Sequence, residues 1–303
     1  MAGTVYEWYG YGVTDLSVDA EVAAAEKTCV FVPGPCTKKG GACAVKPANE
    51  PVVVCPKRLY FDQHRFLRDI ASDAFSEFNI RSDENGQALL VHGDRAREEA
   101  MGSGQNQVGV FGQEFSGEIK LPPAMPGGAR YAVDFTLVVV DPSGDLLAFT
   151  PVEVQTIDTT GSYQSSLKAL CDDRTVVPST FGMNWENVNK RILPQLIIKG
   201  LMLQGERLCG TGMYFVTPEP VFDRIMLRLG SVDRLRRIPK QPGSITFVRY
   251  RYAYEETALS GTPLTLVSLD DITISTSDMS LAFISPENLP AIGSFEASIR
   301  ARM

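Results

Sequence analysis

The chain has 303 residues, 44% hydrophobic and 21% charged, enough to bury a substantial core in one large domain or two to three smaller ones. No run approaches the roughly 18 apolar residues of a membrane span, and the N-terminus MAGTVYEWYGYGVTD lacks the basic and apolar regions of a secretory leader, so a cytoplasmic protein is expected. The net charge of −7 would exclude a polyanionic partner only if it were evenly spread; residues 189–251 instead carry twelve Lys or Arg against four Asp or Glu, a local balance of +8. Such a segment is either a basic face for a phosphate backbone or a solvated, salt-bridged helix surface.

Residues 1–58 contain Cys29, Cys36, Cys43 and Cys55 in loop-like text (PGPCTKKGGACAVKPANEP), too rich in Pro and Gly for a long helix. A segment of this kind needs a staple. Disulfides are disfavoured in a reducing cytosol, which leaves a tetrahedral thiolate site, for zinc or iron, or scattered thiols. Cys171 and Cys209 lie apart in apolar or helical text and read as inert core thiols.

From Leu59 to about Ile80 the apolar residues recur at helical spacing. Residues 83–120 are polar and Gly-rich; GSGQNQVG at 102–109 has no strand-then-helix context, so it is not a phosphate-cradling loop. His64 and His92, the two histidines, lie near no nucleophile motif and read as structural.

Next comes YAVDFTLVVV, the turn DPSGD, and LLAFTPVEVQTID, which together predict a β-hairpin. Asp134 heads its first strand and Glu153-Val154-Gln155 lies in its second. Alternation puts Glu153 and Gln155 on one face and Val154 in the core. Two carboxylates and an amide within apolar strands are costly unless a cation binds them. Asp134, Glu153 and the Val154 carbonyl would offer Mg²⁺ three oxygens, and the ion would acidify an attacking water. Glu118 or Glu114, of which Glu118 is preferred, would add a further carboxylate from the preceding element. The competing reading is a solvated strand face.

A helix is expected from about Trp185 to Gln204, capped by Asn184 and kinked at Pro194, then a strand at Met213–Thr217 and a helix from Pro220. Lys190, Arg191, Arg224, Arg228, Arg234, Arg236, Arg237, Lys240, Arg249 and Arg251 are candidate DNA contacts, to phosphates or to guanine edges. The last 60 residues alternate as strands in SITFVRYRYAYE, PLTLVSL, DITIST and MSLAFIS. The fold class is α/β, a mixed sheet flanked by helices with a β-rich C-terminal part. The expected division is a cysteine module at 1–58, a catalytic core at 59–215, and a part at 216–303 that completes the core and contributes to DNA recognition.

An Asp followed after a hairpin by Glu-x-Lys is the metal-site layout of the PD-(D/E)xK nucleases. Here Gln155 replaces the lysine; it can orient a water but cannot exchange a proton at neutral pH. With the four-cysteine segment, VEVQTIDTTGSY and FGMNWENVNKRILPQLIIKG, the chain resembles the NotI-like group of type II restriction endonucleases over most of residues 29–215. The resemblance implies a PD-(D/E)xK core with a Glu-x-Gln variant, active-site residues Asp134, Glu153 and Gln155 assisted by Glu118 or Glu114, and Mg²⁺ as cofactor. It further implies structural iron on Cys29, Cys36, Cys43 and Cys55, with zinc as the alternative. The implied protein is a homodimer that cuts both strands of GC-rich palindromic DNA, with a GGCC-containing site favoured and 5′ overhangs left, in a bacterium whose cognate methyltransferase protects the site. The rival expectations are a structure-selective or repair nuclease of the same superfamily and a non-enzymatic, metal-stapled DNA-binding protein.

Overall fold

A computed structural model describes residues 2–48, 50–120, 123, 125–128, 130–253, 259–286 and 290–303. The N-terminal part contains β1 (Ala2–Trp8), β2 (Tyr11–Gly12), α1 (Val18–Glu26), β3 (Ala42–Lys46) and β4 (Val52–Val53). Then follow α2 (Phe61–Ala74), β5 (Leu90–His92), α3 (Ala96–Ser103), β6 (Gln107–Gly112), β7 (Phe135–Val140) and β8 (Leu146–Val154). Beyond the hairpin lie β9 (Thr159–Gly161), α4 (Gln164–Asp173), β10 (Ser179–Met183), a π-helical turn at Val188–Ile192 and α5 (Leu193–Leu203). The chain closes with β11 (Met213–Pro218), α6 (Glu219–Leu229), β12 (Ser244–Tyr252), β13 (Leu266–Ser268), β14 (Ile272–Ser275), α7 (Thr276–Ile284) and α8 (Ser294–Arg300).

These elements form an α/β structure with two sheets. The larger runs β13-β12-β11-β8-β7-β6-β5, with β14 also on β12. β6, β7 and β8 are antiparallel neighbours, whereas β11 joins β8, and β12 joins β11, in parallel. A parallel return requires a crossover, and the segment containing α5 provides it. Helices cover both faces of this sheet, as its nearly continuous apolar strands require. On one face Val152, Val154, Tyr214 and Val216 meet Phe66, Leu67 and Ile70 of α2. On the other, Phe215, Ile245 and Phe247 meet Leu193, Leu196 and Leu203 of α5, Phe222 of α6 and Met279 of α7.

The smaller sheet runs β4-β3-β1-β10-β9, so strands from 2–8, 42–46 and 52–53 share it with strands from 159–161 and 179–183. The cysteine segment is therefore built onto part of the chain that follows the hairpin. Among the described residues, no helix is long and apolar enough to cross a membrane.

Two local expectations are corrected. MSLAFIS belongs to α7 and not to a strand: the Ser275 hydroxyl accepts from the Asp278 N–H, and the buried Thr276, Met279 and Ala282 recur every three residues. At Asn184 the backbone N–H donates to Asp158 O at 2.7 Å and the carbonyl accepts from the Asn187 N–H at 3.0 Å, so among the described residues the expected side-chain cap is replaced by backbone bonds. Pro194 near the start of α5 directly follows the π turn, a widened turn that leaves room where proline cannot donate. The expected strand SITFVRYRYAYE corresponds to β12 as far as Tyr252; its Tyr254 and Glu255 lie outside the described residues.

Candidate active site

The β7–β8 register pairs Phe135 with Val152, so Asp134 stands opposite Glu153 on the α5 face of the sheet. The two elements are tied directly: the Val154 N–H donates to Asp134 Oδ2 at 2.8 Å. Gln155 continues the strand, its N–H donating to Val216 O at 3.0 Å and its carbonyl accepting from the Thr217 hydroxyl at 2.9 Å. The Gln155 side-chain amide donates to Thr156 O at 3.2 Å, leaving Oε1 as an acceptor. Val154 is in the opposite core, as alternation requires. The structure thus gathers Asp134, Glu153 and Gln155 at one end of one sheet face.

Glu153 is only 8% exposed, and its Oε2 is buried without a hydrogen-bond partner. Its Oε1 accepts from Lys199 Nζ at 2.7 Å. Lys199 lies on α5, is 5% exposed, and was not recognised from the sequence. A signal was present: Lys199 falls between Leu196 and Leu203 on the apolar stripe of LPQLIIKGLML, where a cation is stable only if paired. What the sequence does not display is the partner, 46 residues upstream.

Burial, and then the adjacent Asp134 carboxylate, push Glu153 up to about 7 against the pull of Lys199. Burial likewise raises Asp134, opposed by the Val154 N–H and by Lys199. A buried carboxylate pair that holds protons this tightly, with one carboxylate oxygen unpartnered, suits a divalent cation. Asp134 and Glu153 therefore fit Mg²⁺ by donor chemistry. The two alternatives for a further carboxylate separate. Glu118 is exposed and close enough to Asp134 to raise its proton affinity, whereas Glu114 lies 3.5 Å from Lys57 and 3.0 Å from His64 Nε2. His64 closes a left-handed run, Asp62 to His64, whose first two carbonyls accept from Arg68 at 2.8 and 3.0 Å.

No protein-family model and no curated protein matches this chain.

A cleft of about 680 Å³ continues along the same sheet face, lined by Thr136, Val138, Phe149, Pro151 and Leu203 among others, and stops short of the carboxylates. The basic candidates are dispersed. Arg249 pairs in register with Thr217, itself bonded to Gln155, so Arg249 and Arg251 stand at the site's end of the sheet. Arg249 lies over the Phe222 ring and donates to Asp270 O at 2.7 Å; Arg251 is exposed. Arg224 lies over Trp185, and Arg228 lies over Phe283 and donates to its carbonyl. Arg236 is 4.0 Å from Asp278, Lys240 donates to Asp73 at 2.6 Å, and the exposed Lys190 is 3.4 Å from Glu186. Arg191, Arg234 and Arg237 are exposed.

Backbone hydrogen bonds bring the N-terminal cysteines together in two pairs. The Cys29 N–H donates to Gly34 O and the Cys36 N–H to Lys27 O, closing a tight turn, while Cys43 O accepts from the N–H of Val54 and of Cys55. Electrostatic influence links Cys29 to Cys36, Cys36 to Cys55 and Cys55 to Cys43. The sulfurs of Cys36 and Cys43 turn to the carbonyls of Lys38 and Gly41, as protonated thiols do. Among the described residues, no three Cys, His, Asp or Glu side chains are arranged to share a metal ion. Cys209 is buried as expected, but Cys171 is exposed on α4, so it is not a core thiol.

Proposed function

We propose that this chain is a Mg²⁺-dependent type II restriction endonuclease of the NotI-like group, built on a PD-(D/E)xK core and cutting GC-rich palindromic DNA as a homodimer. The observation that carries the proposal is the buried Asp134–Glu153 pair across one hairpin, with Gln155 beside it and Glu153 Oε2 unpartnered. An antiparallel hairpin followed by a crossover to a parallel strand is the layout that such a core requires.

Asp134 and Glu153 would hold the ion, which when bound supplies Lewis-acid polarisation of the phosphate and acidifies water. Gln155 Oε1 would accept from a water at the site and orient it without taking its proton. Glu118, exposed and near enough to raise the proton affinity of Asp134, would add a further carboxylate. Arg249 and Arg251 meet the DNA beside the site; the more remote arginines contribute through the general field. Cys29, Cys36, Cys43 and Cys55 would hold iron, or zinc, in a structural role: four thiolates suit either metal.

Incubating the full-length protein with supercoiled plasmid and with genomic DNA in Mg²⁺, then sequencing the ends, tests the proposal. Discrete fragments with one terminal sequence and 5′ overhangs are expected. Random nicking would favour a structure-selective nuclease, and binding without any cleavage a DNA-binding protein.

A further inference from the structure

Lys199 is an unusual occupant of its position. Helix α5 buries Leu193, Leu196 and Leu203 against the sheet, and Lys199 enters the same interior. Its ammonium meets one oxygen of Glu153 and lies close enough to Asp134 to stabilise that carboxylate's charge. Its charge thus acts on both carboxylates that would hold a metal ion. The other Glu153 oxygen has no partner, so the lysine satisfies only half of the carboxylate. The placement is also built into the helix. The π turn just before α5 sets its register, and Gly200 seats it directly against Thr276 of α7.

We infer that Lys199 is a resident counter-ion for the metal-free site, giving up Glu153 when a divalent cation enters and thereby setting how tightly that cation binds. The inference rests on the metal site proposed above and adds a positioning residue to it. A fixed positive charge in hydrogen-bond contact with a metal ligand competes with the metal for that ligand's charge. The same charge keeps Asp134 and Glu153 from repelling one another while the site is empty. Once released from Glu153, the ammonium remains within the site and can meet a phosphate oxygen. Lys199 therefore weakens metal binding and aids cleavage, two effects of opposite direction.

The test is Mn²⁺ binding to the full-length protein without DNA, at mildly alkaline pH, with free Mn²⁺ read by electron paramagnetic resonance. Lys199→Met should tighten Mn²⁺ by roughly tenfold, since it removes one unit charge at close range. Lys199→Arg, which keeps the charge, should bind no tighter than the parent. Single-turnover cleavage at saturating metal should fall in Lys199→Met, so affinity and turnover move apart. A lysine that merely supports the fold would lose both together. Unchanged or weaker Mn²⁺ binding in a Lys199→Met protein with parental circular dichroism overturns the inference. Asp134→Asn with Glu153→Gln provides the separate control: if that double variant binds Mn²⁺ as the parent does, the metal site itself is wrong.

Discussion

Glu153 concentrates the electrostatics of the candidate site, because its two oxygens have different fates: one is paired with Lys199, the other with nothing. Removing either carboxylate should therefore abolish the chemistry without removing the DNA surface. Asp134→Ala or Glu153→Ala is expected to lower cleavage by at least about 10²-fold, the scale of a lost transition-state electrostatic contact, with DNA affinity measured without divalent metal nearly unchanged. Cleavage time courses and gel shifts on one oligonucleotide read both quantities. The proton affinity of Glu153 adds a pH signature. Its folded value of about 7 lies above the ordinary 4.5, so folding takes up a proton between these values. The corresponding stability of the metal-free protein is fully present below about 4.5 and is lost as pH rises through about 7. Urea denaturation in a chelator should show this decline, and Glu153→Gln should flatten it. Added Mg²⁺ should stabilise most above that range, where no proton need be displaced.

At the scale of the element, the hairpin was legible because period-two alternation and a DPSGD turn are local signals; the register that brings Asp134 opposite Glu153 came only with the structure. Gln155 was legible as a departure from Glu-x-Lys, but the lysine that meets Glu153 comes from α5, and one strand's text cannot announce a helix packed over it. The short run MSLAFIS misled for a different reason. Apolar residues two apart fit a strand and a short helix equally, and the Ser275 cap decided between them. The close seating of α5 is itself testable. A Cβ on Gly200 would overlap the Thr276 side chain, whose buried hydroxyl oxygen already lacks a partner. Gly200→Ala should therefore push α5 from α7 and cost about 1–3 kcal/mol, a typical overpacking penalty. Chemical denaturation measures the cost, and reduced cleavage should accompany it because Lys199 rides on the displaced helix.

Over the whole molecule, one buried network joins segments that the sequence keeps far apart. Arg58 Nε lies 2.7 Å from both oxygens of Glu7, the Tyr252 hydroxyl donates to Glu7 Oε2 at 2.8 Å, and Arg58 Nη2 donates to Leu264 O. The guanidinium also lies over Phe31, between Cys29 and Cys36 in the chain, with its carbon 4.5 Å from the ring centroid. Neither the network nor the smaller sheet, in which residues 2–8 pair with residues from 159–183, was legible, because both depend on contacts without local periodicity. The network binds the cysteine segment to β12, the strand that carries Arg249 and Arg251 to the site. A fully buried ion pair gains little over an apolar replacement of the same volume, but breaking it strands a charge without water. Arg58→Met and Glu7→Leu should each cost about 3–5 kcal/mol, and the double variant clearly less than their sum, since the second substitution removes the charge left by the first. Thermal and urea unfolding of the three variants measure that coupling. If the costs simply add, Glu7 and Arg58 do not act as a pair, and the cysteine segment must be held to β12 by apolar packing alone.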